Sequence, residues 1–125
     1  MKKSLATLLS GFMLVGSLFA FGCGSAKSDV IKVGVAVPLT GASAEDGNAI
    51  KNGVNLAVKE INAKGGINNK KVELVITDDK GDPSEAATVA NKLAQDKSVL
   101  AIVGHFNSSC TLAAAPIYNQ AGVVS

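Results

Sequence analysis

The sequence has 125 residues, of which 47% are hydrophobic, 18% charged and 4% aromatic. Lys2 and Lys3 account for its whole formal net charge of +2, so the remainder of the chain is balanced. A balanced chain gives no footprint for nucleic acid or an anionic membrane surface, and no such partner is expected.

In chain order, Met1, Lys2 and Lys3 precede the apolar run Leu5 to Phe21, the layout of a signal peptide. A membrane-spanning helix needs about 20 apolar residues. The run reaches that only if Ser4, Ser10, Gly11, Gly16 and Ser17 count as apolar, so spanning is the second reading. Ala20, Phe21 and Gly22 then lead into Cys23, which resembles a lipobox, the site where bacteria lipidate a cysteine and cleave before it. Residues 1–22 are therefore expected to be a lipoprotein signal peptide, with the membrane reached through a lipid anchor at Cys23. Cleavage elsewhere would leave Cys23 incidental on a soluble periplasmic protein; both readings place the domain outside the cytoplasm. Residues 23–29 are small or polar and read as a flexible tether. With Cys23 lipidated, Cys110 has no thiol to pair with. No basic cluster stands near it in sequence to activate a thiolate, so it reads as a small buried residue at a helix start.

Residues 30–125 are read as the folded part. Ile31, Val33, Val35 and Val37 alternate with Lys32, Gly34 and Ala36, a strand closed by Pro38 and apolar enough to be covered on both faces. A helix is expected over Asp46 to Ala63, with Ile50, Val54, Ala57, Val58 and Ile61 on its apolar face, stopped by Gly65 and Gly66. Val72, Leu74 and Ile76 form a second strand running into Asp78 and Asp79. Asp82, Pro83 and Glu85 then supply an N-cap, a proline at the first helical position and a capping-box partner. Val89, Ala90, Leu93 and Ala94 give that helix its apolar face as far as Asp96. A third strand, Val99 to Val103, ends at Gly104, and a third helix is expected over Ser109 to Ala121. Pro116 falls inside it, so a kink or break is expected near Ala114. Val123, Val124 and Ser125 open a new apolar run after Gly122. A fourth strand is expected to start there, which would make residues 30–125 an incomplete lobe. The alternation of strands and helices predicts an α/β fold, a doubly wound parallel sheet with right-handed βαβ crossovers.

In such sheets ligands bind beyond the carboxyl ends of the strands. Three loops lie there: Pro38 to Asp46, Asp78 to Asp82, and Gly104 to Ser109. In the third, Ser108 and Ser109 bring hydroxyls to a helix N-terminus, where free amides and the helix dipole favour an anion such as an α-carboxylate. The competing reading is simple N-capping by either serine. Asp78 and Asp79, adjacent on a strand, point to opposite faces and cannot easily share a metal or a proton, so turn structure and solvation are expected. His105 has no nucleophile and orienting acid around it in sequence, and a structural hydrogen bond is expected rather than catalysis. No glycine spacing suits a phosphate loop. Neither an enzyme, a cofactor nor a metal is indicated.

The segments Val35 to Gly41 (VAVPLTG), Ala57 to Gly66 (AVKEINAKGG), Val75 to Pro83 (VITDDKGDP) and Gly104 to Tyr118 (GHFNSSCTLAAAPIY) closely resemble leucine/isoleucine/valine-binding proteins of bacterial ATP-binding-cassette (ABC) transporters, of the periplasmic binding protein type 1 family. The resemblance covers nearly all of Ile31 to Ser125. It implies the first half of a two-lobed fold that closes around a small-molecule amino acid ligand and delivers it to the transporter permease. It also implies that Ser108 contacts the ligand carboxylate, with backbone groups around Phe106 and Asn107 lining the same pocket; Ser109, beside Ser108 at the helix start, is kept as a candidate from the helix N-terminus reading. Two departures stand out. The family's disulfide positions hold Gly81 and Asn107 here. Where an aromatic often covers the ligand side chain stands Asp46, which points to a different or more polar ligand. The family's remaining ligand groups lie beyond Ser125. Uptake is the leading reading; the alternative is a ligand-sensing domain of a receptor or regulator with the same fold.

Overall fold

The computed structural model describes residues 30–125; the signal peptide expected over residues 1–22, the lipidation expected at Cys23 and the tether expected over residues 23–29 lie outside the described residues. Three parallel strands, β1 (Ile31–Val37), β2 (Val72–Asp78) and β3 (Val99–Gly104), form a sheet in the order β2-β1-β3. Helices α1 (Ala44–Ala63), α2 (Pro83–Gln95) and α3 (Ser108–Ala121) alternate with them. The chain steps from β1 to β2 and then back across β1 to β3. Right-handed crossovers in opposite directions put α1 on one face of the sheet and α2 with α3 on the other. This is the doubly wound α/β arrangement expected.

β1 is the central strand because it is the most apolar: Gly34, Val35, Ala36 and Val37 are all buried. Its register runs Ile31↔Val72 to Val37↔Asp78 on one side and Lys32↔Val99 to Ala36↔Gly104 on the other. The second pairing slips between Lys32 and Val33, leaving Leu100 without an opposite residue and 56% exposed. The core lies on the α2/α3 face, where Ala36, Val99 and Ile102 meet Val89, Ala90 and Leu93 of α2 and Ala114 and Tyr118 of α3. All four apolar residues expected on α2 are buried, and Asp82 caps it by accepting from the amides of Ser84 and Glu85 at 2.9 Å each.

Three expectations need correction. Helix α1 begins at Ala44, not Asp46, so Asp46 sits within its first turn. Its apolar face is only half-buried, through Ile50, Val54, Val58 and Ile61, while Ala57 is exposed. Helix α3 runs unbroken past Pro116. A proline removes the bond to the carbonyl four residues earlier. Here that carbonyl belongs to Leu112, on a turn where Leu112 is itself 76% exposed, so water can replace the lost partner.

At the far end of α1, Asn62 behaves as a piece of strand, donating to the Val72 carbonyl and accepting from the Val72 amide, both at 2.8 Å. Gly66 follows with φ +83, and a Cβ there would stand 1.9 Å from the Lys70 carbonyl oxygen, so only glycine makes this turn. Past α3, the Ile102 amide donates to the Val124 carbonyl at 2.7 Å, and Ala101 bridges Val124 in parallel. Where a fourth strand is expected, Val124 thus forms a single parallel bridge beside β3. Among the described residues no helix is long and apolar enough to cross a membrane.

Candidate functional site

The three loops at the carboxyl end of the sheet are fastened together by the adjacent carboxylates Asp78 and Asp79. Asp78, the last residue of β2, turns toward the loop after β1. It accepts from the Leu39 amide at 2.8 Å, the Thr40 hydroxyl at 2.6 Å and the Lys80 amide at 2.8 Å. Partial burial pushes its pKa up, but the bonds from Thr40, Leu39 and Lys80 outweigh that, and the carboxyl sits below the ordinary carboxylate range.

Asp79 turns the other way, across the end of β1. It is fully buried, with Oδ1 accepting from the Gly81 amide at 2.9 Å and Oδ2 lying 2.6 Å from His105 Nδ1. The opposite orientation of the pair was legible from strand alternation; solvation of Asp79 was not, and the structure corrects it. An ionised carboxylate only accepts, so His105 Nδ1 carries the proton. The other ring nitrogen, Nε2, lies 3.2 Å from the Tyr118 hydroxyl, and the two rings stack at 6.0 Å. His105 therefore has the structural hydrogen-bonding role expected of it, with its side chain 1% exposed.

Tyr118 feels this environment. Burial, then the Asp79 charge, pushes its pKa up to about 12. A tyrosine that ionises near 10 when unfolded and near 12 when folded retains its proton longer in the native state. Stability is thus fully present below pH 10 and falls through pH 10 to 12, by about 2 to 3 kcal/mol. Urea unfolding of the wild type and Tyr118→Phe across this window is expected to show the steep alkaline loss only in the wild type. The same burial, followed by the Asp79 charge, raises the Cys110 thiol above its ordinary value, and Cys110 is fully buried at the start of α3 as expected.

The third loop ends at α3, which starts at Ser108 rather than Ser109. Neither serine is the N-cap. That position is Asn107, and its side chain makes no capping bond. Instead, Asn107 Oδ1 is buried, without a hydrogen-bond partner among the described residues, and stands where a Cβ on Gly81 would be 3.2 Å away. The two positions that the resemblance pairs as cysteines are therefore neighbours in space. The first-turn amides of α3 are left without a side-chain cap, with the exposed Ser108 and Ser109 beside them. Phe106 is 44% exposed at the same rim. Asp46 is exposed on the first turn of α1, at the same end of the sheet. A small cleft of about 140 Å³ behind the third loop is lined by Gly104, His105, Thr111, Ala115, Tyr118 and Ser125. Among the described residues no group of three or more histidine, cysteine or acidic side chains is placed to hold a metal ion.

The fold and this end of the sheet have close counterparts. Residues 30–125 match the family described as periplasmic binding protein. The Leu/Ile/Val-binding protein homolog 1 of Brucella abortus is 44% identical over 118 residues, covering 94% of this chain and 31% of that protein. A leucine-, isoleucine-, valine-, threonine-, and alanine-binding protein of Pseudomonas aeruginosa is 39% identical, over 93% of this chain and 31% of that one. Among solved structures, the branched-chain amino acid transporter substrate binding protein LivJ from Streptococcus pneumoniae, in complex with isoleucine, superposes with a TM-score of 0.72. It is 41% identical and covers 75% of this chain and 27% of that one. The chain thus spans less than a third of the length of the relatives it matches.

Proposed function

Because the chain belongs to the periplasmic binding protein family, we propose that it forms part of an extracytoplasmic solute-binding protein of an ABC transporter, which takes up a branched-chain or related amino acid. The supporting observation is the start of α3. Three successive amides there lack a side-chain cap, two serines flank them, and the positive end of the helix dipole faces the same way. A carboxylate is the anion that this geometry suits, with Ser108 donating its hydroxyl and Ser109, Phe106 and Asn107 around it. The names of the relatives agree on an amino acid. Asp46, exposed on the first turn of α1 at the same end of the sheet, adds a negative charge there, which favours a ligand with a polar or cationic side chain over a plain aliphatic one.

On this reading the protein reaches the membrane through lipid at Cys23 and hands its ligand to a membrane permease. The ligand amine and most of its surface would be covered by residues of a second lobe, with closure as a hinge motion. Catalysis has no part in this reading. Titration of the full chain as encoded with L-leucine, L-isoleucine, L-valine, L-threonine and L-lysine is the test. Ser108→Ala is expected to weaken the best of these ligands by roughly tenfold or more, the loss of one charge-assisted hydrogen bond. Unchanged affinity in that variant would remove Ser108 from the site.

A further inference from the structure

Building on the binding reading just given, we propose that the buried chain Asp79, His105 and Tyr118 is a positioning device that aims the start of α3 at the ligand carboxylate. These residues sit in three separate places: Asp79 just past β2, His105 just past β3, and Tyr118 in the third turn of α3. Strands β2 and β3 are not neighbours, since β1 lies between them. At 2.6 Å, the bond between Asp79 and His105 ties their ends together directly, over the buried Pro38. His105 then passes the constraint to α3 through the Tyr118 hydroxyl at 3.2 Å and the stacked rings.

The loop between them is strapped down as well. Thr111 Oγ1 lies 3.3 Å from both the His105 and the Asn107 carbonyls, and the Thr111 amide donates to the Asn107 carbonyl at 3.0 Å. The direction in which Ser108 and the first-turn amides point is therefore set by where Asp79 holds the imidazole. All three side chains are almost wholly buried, Asp79 and Tyr118 being at most 1% exposed and the His105 side chain equally so, which suits them to hold the loop in place rather than to serve as the ligand contact at its rim. Packing alone does not call for them, since apolar side chains fill such space without a charge to bury. A fully satisfied polar network instead selects one arrangement of the elements that it joins. His105, Asp79 and Tyr118 are thus positioning residues, and Ser108 is the contact that they serve.

The test compares L-leucine with L-leucinamide, which lacks the carboxylate, by calorimetry on the full chain, together with amide hydrogen exchange at residues 107–111. His105→Ala is expected to weaken L-leucine by about tenfold while leaving L-leucinamide within about twofold. His105→Asn, whose amide nitrogen replaces Nδ1 opposite Asp79, recovers most of that loss. Tyr118→Phe keeps the ring packing and should fold in any case; it weakens L-leucine by roughly threefold. In His105→Ala, exchange at residues 107–111 accelerates by about tenfold relative to β1. Equal weakening of both ligands, or unchanged exchange in both His105→Ala and Tyr118→Phe, overturns the proposal. Faster exchange in a protein whose wild type ignores L-leucine supports the positioning role and counts against the ligand class instead.

Discussion

Gly47→Ala is expected to cost about 3 kcal/mol in a chemical denaturation experiment, the upper end of the range for overpacking. The added Cβ would stand 1.8 Å from the Pro38 carbonyl oxygen and 2.6 Å from its carbonyl carbon. Both are backbone atoms of a fully buried residue that continues the central strand, so neither can rotate aside. Helix α1 would have to lift its first turn off the end of β1. The loop at residues 38–43 would follow, and with it the bonds that Leu39 and Thr40 give to Asp78. Since Asp46 rides on the same turn of α1, the variant is also expected to alter ligand preference. A loss below about 1 kcal/mol would show that α1 packs on the sheet more loosely than this contact implies.

That contact was not visible in the sequence, where Gly47 reads as one more small residue near a helix start. The fold itself was legible for local reasons. Strands β1, β2 and β3 announce themselves through short β-branched runs closed by Pro38, the Asp78-Asp79 turn and Gly104. Asp82, Pro83 and Glu85 carry the start of α2 in three neighbouring positions. The misjudged boundaries are those fixed by distant contacts. Helix α1 starts two residues early with no side-chain cap, and α3 starts at Ser108 because Asn107, with its Oδ1 buried beside Gly81, takes the cap position without using its side chain. Pro116 was read by its local cost alone, whereas α3 keeps its course through packing of Ala114 and Tyr118 in the core.

The site shows the same division. Ser108 and its neighbours could be placed at the carboxyl end of the sheet from the alternation of strands and helices, and marked as an anion site from the helix dipole. What orients them could not, because Asp79 and His105 are 26 residues apart and Tyr118 lies a further 13 on. Only strand order brings the three together. The clue available beforehand was chemical: a lone histidine with no catalytic company still needs partners for two ring nitrogens when it is buried.

Asp79→Ala is the second large effect expected, a loss of about 3 to 5 kcal/mol, because removing one member of a buried pair strands the other. His105 would lose the acceptor of Nδ1, and the Gly81 amide would lose Oδ1. Replacing both members, as Asp79→Leu with His105→Leu, removes the stranded polar groups together and should cost less than Asp79→Ala alone. Urea unfolding of Asp79→Leu, His105→Leu and the double variant forms a cycle that isolates the pair. A double variant that is nearly as stable as the wild type, yet binds the proposed ligand poorly, would mean that the pair is retained for where it points α3 and not for the stability of the sheet. A double variant as unstable as Asp79→Ala would assign the pair to folding, with the aim of Ser108 following from the fold as a whole.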